Sequence, residues 1–244
     1  MILRQFLHSD PVIAASYLVG CAGKGVSAVV DPMEDIEQYI GVSEASGMKI
    51  RYVIDTHVHA DHISGGARLA EATGATYVLG RRAATTIPHD SVSEGDVLLL
   101  GNVELNVLET PGHTPEHITI AVVDRTRGDE PWCLLTGHTL MVGDLGRTEL
   151  ASSAEEGARH LYASVEKLRA LADHLVILPG AYSGSVCGRG LSGNPVSTLG
   201  FNAAFATDTE EAFVEHMLQH IPPRPPQADA IRSRNLGVSV PDRA

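Results

Sequence analysis

Three histidines and an aspartate fall within six consecutive residues, and this cluster constrains the chain more than any other feature. His57, His59, Asp61 and His62 directly follow a short apolar run at 52–54 that is typical of a buried strand. Side chains alternate in direction along an extended segment, so His57 and His59 project to the same side and can reach one ion. The alternative is a solvated loop whose histidines act as caps, but capping alone does not explain four ligand-type side chains within six residues. The pattern predicts a metal site at the end of a strand.

Two further histidines follow strand-like runs later in the chain. His113 comes after Pro111 and Gly112, which fix a tight turn that can aim the imidazole at a site formed by another strand end. His138 follows Gly137 in the same way, just past an apolar run at 132–135. Taken alone, His113 would more often be a turn residue than a metal ligand. For His138 taken alone, these two roles have equal weight.

The hydrophobic pattern predicts strands and helices in two successive halves. We expect a hairpin from 16–19 and 27–30, a helix over 34–46, strands at 52–54 and 76–79 and a helix over 65–73. Two strands between 97 and 108 complete the first half, and the second half has strands at 118–123, 132–135 and 175–178. One of its helices begins at 153 and another covers 210–219, and the helix over 210–219 is expected to be the final one. Ser153 and Glu156 have the spacing of a capping box. This order predicts an α/β protein, a four-layer αββα sandwich with the site in loops at one edge.

Length and composition narrow the class further. The 244 residues favour one domain over 1–244, with the proline-rich segment from about 221 as an extended tail that closes it. A net charge of −12 argues against nucleic-acid and anionic-membrane partners, and no apolar run approaches the ~18 residues of a membrane span. Cys21, Cys133 and Cys187 lie far apart, so no disulfide framework is suggested. Asp10-Pro11 interrupts the N-terminal apolar stretch, which is unlike a signal peptide. Both features lead us to expect a reducing cytoplasm.

Several motifs together resemble one protein family. Thr-His-Val-His-Ala-Asp-His at 56–62, Thr-Pro-Gly-His-Thr-Pro at 110–115, and the segments 136–138 and 143–148 are similar to the metallo-β-lactamase superfamily. Within it, the chain most resembles the persulfide dioxygenases, which are related to glyoxalase II. The resemblance covers essentially the whole chain and implies the metallo-β-lactamase fold with one Fe(II) per chain. The rhodanese domains that often accompany this branch in bacteria are absent from this sequence.

Two positions depart from the pattern of that branch. The resemblance places His57, His113 and His138 where the branch holds iron with two histidines and one aspartate, so His138 replaces a carboxylate. Ala181 stands where dinuclear relatives use a histidine for their second metal. Without the bridging carboxylate and that histidine, a single metal is expected. A neutral imidazole in place of a carboxylate leaves more positive charge for an anionic ligand such as a thiolate, persulfide or hydroxide. Three histidines also suit Zn(II), which lowers the pKa of bound water to about 7.

Other residues near these motifs are candidates for substrate handling or orientation. His59 is either a fourth ligand or a group that hydrogen-bonds the substrate, and the sequence does not decide between these. Asp61 and His62 are assigned to orientation or proton transfer, with loop capping as the alternative for Asp61. Arg147 serves either to clamp a substrate carboxylate or to hold the site loop, with equal weight.

Tyr182 and Cys187 are the candidates for substrate contact near the end of the domain. Tyr182 lies next to the altered position 181. Cys187 could handle sulfur, although burial as a small apolar residue is the commoner state of a free cysteine.

Three functions are consistent with these features. The first is a mononuclear iron enzyme that oxidises a glutathione persulfide or related thiol-derived substrate with O2 to sulfite. The second is a zinc-dependent hydrolase of a thioester, ester or lactone in the manner of glyoxalase II, and the third is a non-catalytic metal-binding relative. The expected partner is a small-molecule, thiol-derived substrate, and a homodimer is an expectation that the sequence does not decide.

Overall fold

Two six-stranded sheets face each other in the computed structural model, which describes residues 1–202, 209–219 and 221–238. Strands β1 to β6 form the first sheet in sequence order, and the second has the order β14-β13-β10-β9-β8-β7, with β11 and β12 as a separate pair. The strands are β1 (Ile2–His8), β2 (Ala14–Cys21), β3 (Val26–Val30), β4 (Lys49–Ile54), β5 (Thr76–Gly80), β6 (Asp90–Val92), β7 (Val97–Leu100), β8 (Val103–Glu109), β9 (Ile118–Asp124), β10 (Cys133–Gly137), β11 (Leu140–Met141), β12 (Asp144–Leu145), β13 (Val176–Pro179) and β14 (Ser197–Thr198).

Helices cover the outer face of each sheet and complete the four layers. They are α1 (Glu37–Ala45), α2 (Gly66–Thr73), α3 (Ala154–Arg169), α4 (Leu199–Asn202), α5 (Glu210–Gln219) and α6 (Ala228–Asn235). Tyr39 of α1 and Leu69 of α2 pack on the outer face of the first sheet, and Leu161 of α3 and Phe213 of α5 pack on that of the second. A third apolar cluster, which includes Tyr17, fills the space between the sheets. The predicted αββα sandwich is confirmed.

Local sequence signals explain several of these elements. Strands β2 and β3 pair antiparallel as the predicted hairpin, and Gly25 between them adopts the left-handed conformation with φ of 64°. Ser153 caps α3 by accepting a hydrogen bond from the Glu156 amide at 3.3 Å, as the capping-box spacing predicted.

The C-terminal segment differs from the expectation. The helix at 210–219 is present but is not the final one, because α6 follows the extended proline-rich segment. Helix α6 is short, largely polar and without a side-chain N-cap bond, so no apolar period marks it in the sequence. Its contacts with distant loops stabilise it instead. Within the described ranges, no helix has the length and apolar character needed to cross a membrane.

The strand ends that carry the histidine motifs meet at one edge of the two sheets. Strand β4 runs parallel to β3, so the loop that begins at Asp55 starts beside Asp31. Strand β10 runs parallel to β13, which places His138 beside Gly180, whose amide donates to the Gly137 carbonyl at 2.7 Å. The Ile118 amide donates to the Thr56 carbonyl at 2.8 Å and ties the two sheets together there.

Candidate metal centre

Three imidazoles from three different strand ends converge in the interior. His57, His113 and His138 each offer a ring nitrogen, and these atoms lie within 4.8 Å of one another. Ring centroids are 4.9 Å apart for His57 and His113, 4.7 Å for His57 and His138, and 5.1 Å for His113 and His138. All three side chains are buried. The structure thus brings together the three histidines that the motifs singled out.

Hydrogen bonds behind the rings fix which nitrogen faces the centre. Thr56 Oγ1 donates to Asp31 Oδ2 at 2.9 Å and therefore accepts from His57 Nδ1, also at 2.9 Å. Asp31 adopts a left-handed backbone with φ of 51°, which is rare outside glycine. His113 Nδ1 donates to the Arg147 carbonyl at 2.7 Å. His57 Nε2 is left buried without a hydrogen-bond partner, as expected of a metal ligand held by a bond to its other nitrogen.

The electrostatic environment keeps these three rings neutral. Burial, and then the neighbouring imidazoles, lowers the pKa of His57 well below its usual value and lowers that of His113 to about 3. Burial also lowers the pKa of His138. Neutral imidazoles have a free lone pair, so the set is ready to bind a cation without first losing protons. Three nitrogen donors fit a borderline divalent ion such as iron(II) or zinc.

His59 lies between two carboxylates, and its ring also packs against that of His57 with centroids 4.2 Å apart. Its Nε2 is 3.2 Å from Asp31 Oδ1 and its Nδ1 is 3.5 Å from Asp61 Oδ1. Burial alone would lower the pKa of His59, but the two carboxylates outweigh it and hold the pKa well above its usual value. Its Nε2 is engaged by Asp31, whereas its Nδ1 is buried without a hydrogen-bond partner and is available either to a metal ion or to a substrate.

Asp61 and His62 are neighbours at the centre, and His62 also lines a cleft. His62 Nδ1 is 3.1 Å from Asp61 Oδ1, whereas His62 Nε2 is buried without a partner. A cleft of about 580 Å³ is lined by His62 together with residues that include His8, Asp35 and Arg68. Burial would raise the pKa of Asp61, but His62 and His138 hold it well below its usual range. Asp61 is therefore a carboxylate that orients neighbouring imidazoles.

Arg147 holds a loop and is not free to clamp a substrate. Its guanidinium donates to the Val186 carbonyl at 3.1 Å and to the Pro222 carbonyl at 2.8 Å, and it is paired with Glu149. The side chain is buried, and all of these partners are protein groups. Of the two roles that the sequence left open for Arg147, these bonds favour holding the site loop, and the Arg147 carbonyl, which accepts from His113 Nδ1, links that loop to the metal centre.

The two candidates for substrate contact differ in their positions. The Tyr182 hydroxyl donates to the His8 carbonyl at 3.1 Å, and its ring packs against the core between the sheets. Cys187 is buried, with its Sγ within 4.8 Å of ligand atoms of Asp61 and His138. Burial and then Asp61 raise the pKa of the thiol well above its usual value. The thiol of Cys187 therefore lies at the candidate metal centre, whereas the Tyr182 hydroxyl binds the C-terminal end of β1.

His117 is a buried histidine that the sequence reasoning missed, although it lies only four residues after His113. Its Nε2 accepts from the His138 amide at 3.1 Å, and its Nδ1 is 3.0 Å from Thr139 Oγ1. Its ring stacks on that of His57 with centroids 5.0 Å apart. His117 therefore fixes the backbone of one ligand and the ring of another.

The C-terminal helix supplies a second group that the sequence did not reveal. Asn235 Nδ2 donates to the carbonyls of His59 and His62, both at 2.9 Å, and its Oδ1 accepts from the Ser64 amide at 3.0 Å. Arg232 donates to the Val58 carbonyl at 2.8 Å. Helix α6 thus fixes the loop of residues 57–64, called here the histidine loop, from a point more than 170 residues away in the sequence.

A four-layer αββα sandwich with buried imidazoles at one edge of its sheets defines a metallo-β-lactamase fold with a candidate metal centre. Comparison with known families agrees, since the pattern of the metallo-beta-lactamase superfamily matches residues 9–181. The chain belongs to this superfamily.

Named relatives fall into two branches of metal-dependent enzymes. A hydroxyacylglutathione hydrolase from Polaromonas sp. is 33% identical over 184 residues, which cover 74% of this chain and 66% of the hydrolase. The chain thus spans just under two thirds of that relative's length. The mitochondrial persulfide dioxygenase ETHE1 of Mus musculus is 28% identical over 250 residues, which cover 99% of this chain and 91% of that protein. The crystal structure of ETHE1 from Myxococcus xanthus superposes with a TM-score of 0.83 at 27% identity and covers 97% of this chain and 99% of that one.

Proposed function

We propose that this protein is a mononuclear iron-dependent dioxygenase that oxidises a small persulfide, such as glutathione persulfide, to sulfite. In this reaction both atoms of dioxygen and the oxygen atom of one water end in sulfite, and the inner sulfur leaves as the thiol. The observation that carries the proposal is the set of three converging, buried imidazoles at His57, His113 and His138, with no imidazole at position 181. That set can hold one ion without a carboxylate bridge.

The extent of the similarity supports the dioxygenase assignment. The persulfide dioxygenase relative aligns with 99% of this chain, whereas the hydrolase relative aligns with 74%. An enzyme's substrate contacts come from loops throughout the fold, so similarity over the whole chain bears on them more than similarity over one part.

The residues of the centre have separable tasks. Iron(II) held by His57, His113 and His138 supplies the one-electron chemistry that lets dioxygen react with a persulfide sulfur. The neutral imidazoles do not cancel the charge of the ion, so the centre attracts an anionic persulfide. His62 lines the cleft, and because its buried Nε2 has no hydrogen-bond partner, we assign to it the proton of an incoming persulfide. The bonds of His113 to Arg147 and of His57 to Thr56 keep the rings in place.

A zinc-dependent hydrolase of thioesters is the second candidate. The hydroxyacylglutathione hydrolase from Polaromonas sp. is 33% identical to this chain, and a three-histidine set is also typical of catalytic zinc. Such an enzyme would work without oxygen.

The test is metal analysis of protein purified without added metal, combined with an oxygen-electrode assay on glutathione persulfide. We expect about one iron per chain at the three-histidine set, oxygen uptake, and sulfite as product. His113→Ala should abolish both iron and uptake, whereas His216→Ala on the exposed face of α5 should change neither.

Zinc in place of iron, with thioester cleavage and no oxygen uptake, would establish the hydrolase instead. Protein without tightly bound metal, and without activity after reconstitution with either ion, would indicate a non-catalytic relative.

A further inference from the structure

Val58, the residue between His57 and His59, has both of its backbone polar groups bound by charged side chains. Its amide donates to Glu116 Oε1 at 2.9 Å, and its carbonyl accepts from Arg232 Nη1 at 2.8 Å. The same arginine nitrogen lies 3.5 Å from Glu116 Oε1, so the two side chains also form an ion pair. Residues from two other parts of the chain therefore fix the peptide planes on both sides of Val58.

This arrangement is buried in the interior of the protein. Val58 belongs to the histidine loop and not to a strand, so no ladder of strand hydrogen bonds serves its amide and carbonyl. The side chain of Glu116 is 2% exposed and that of Arg232 is 17% exposed. Water has little access to these bonds, and a buried amide or carbonyl that lost its partner would be costly.

The carboxylate of Glu116 continues a pairing between two segments of the metal centre. The Ile118 amide donates to the Thr56 carbonyl at 2.8 Å. The Val58 amide, two positions after Thr56, donates to the side chain of Glu116, two positions before Ile118. This is the order of an antiparallel pair, except that the second bond ends on a side chain and not on the backbone.

The paired segments carry two of the three histidines of the centre. His57 lies between the two bonds, opposite His117, and the two rings stack with centroids 5.0 Å apart. His113 belongs to the same turn as Glu116, which is closed by the bond from the Thr110 amide to the His117 carbonyl at 2.9 Å. Glu116 thus ties the turn of one candidate ligand to the loop of another.

We propose that Glu116 and Arg232 are positioning residues of the metal centre, which act through the backbone of Val58 and set the placement of His57 relative to His113. An intact buried ion pair contributes little net stability, because the cost of desolvation offsets the attraction. The main effect of this pair is therefore expected in the geometry of the ligands. This role does not depend on which reaction the centre performs.

The experiment is a titration of metal-depleted protein with cobalt(II), followed by the visible d–d bands, whose position and intensity depend on ligand geometry. Cobalt affinity is measured by competition with a chelator, and the stability of the metal-free protein by urea denaturation. We expect Glu116→Ala to shift the bands and to weaken cobalt binding about 10–100-fold. Glu116→Gln keeps an acceptor for the Val58 amide, so its cobalt affinity should be about fivefold higher than that of Glu116→Ala.

Arg232→Met keeps the length of the side chain but removes its donors, and it should also shift the bands. Because both residues act through Val58, Glu116→Ala and Arg232→Met combined should weaken binding by less than the product of their single effects. Arg234→Met is the matched control, since Arg234 lies on the same helix and pairs with Glu34 at 3.1 Å, but both side chains are exposed. It should change neither the bands nor the affinity.

Unchanged cobalt bands and affinity in Glu116→Ala, even with a loss of stability, would show that the pair supports only the fold and would overturn the inference. If Glu116→Ala does not fold, the same criterion applies to Arg232→Met, whose side chain lies closer to solvent. These outcomes leave the proposed reaction intact. Failure of the unmodified protein to bind cobalt would instead contradict both the positioning role and the proposed function.

Discussion

Replacing Asn235 by alanine should loosen the histidine loop from a distance. The side chain makes three hydrogen bonds to the backbone of residues 59–64, and it is only 8% exposed, so water cannot easily replace them. A neutral buried hydrogen bond contributes about 0.5–1.5 kcal/mol, and unsatisfied partners add to the loss, so we expect a decrease of roughly 2–4 kcal/mol in the free energy of unfolding.

The same substitution should also weaken metal binding, because the two freed carbonyls, of His59 and His62, belong to the loop that also carries the ligand His57. Loss of an interaction behind a metal site typically lowers metal affinity about 10–100-fold. The assays are urea denaturation of the metal-free protein and a competition titration with a chelator of known affinity. Asn235→Asp retains the acceptor for the Ser64 amide but sets a carboxylate against two carbonyls, so it should be at least as damaging.

Asn194→Ala is the matched control, since Asn194 is exposed and its side chain makes no hydrogen bond in the part of the chain that the structure describes. It should shift neither stability nor metal affinity. If Asn235→Ala lowered stability by less than about 0.5 kcal/mol and left metal affinity unchanged, helix α6 would not hold the loop as the hydrogen bonds indicate.

Three further predictions concern the surroundings of the centre. Burial lowers the pKa of five imidazoles, so the unfolded chain binds protons that the native state does not. Metal-free protein should therefore lose stability as the pH falls below about 6.5, and a melting temperature that stays constant from pH 8 to 5 would contradict this. His59, with its raised pKa, acts in the opposite direction but is one group against five. Arg147→Ala should free the proline-rich segment and speed its cleavage in limited proteolysis, whereas Arg81→Ala at the surface should not. His138→Asp should shift the metal content toward iron when iron and zinc compete, and an unchanged ratio would show that this position does not set the preference.

The outline of the centre could be predicted because its signals are local. His57 and His59 are two residues apart after an apolar run, and Pro111 and Gly112 fix a turn before His113. Spacing of this kind depends only on backbone geometry, so it needs no knowledge of the fold. The same holds for the sandwich, since alternating apolar patterns define strands and helices segment by segment.

The tertiary structure decided which of these residues face one another and what supports them. Arg147 binds the proline-rich segment, Cys187 reaches Asp61 and His138, and Asn235 holds the histidine loop through contacts that span 49 to 176 positions. Such pairs have no signature in the spacing of the sequence, because the packing of two sheets and a terminal helix brings them together. The sequence by itself determined which side chains can bind a metal, and only the folded chain determined which nitrogens are free to do so.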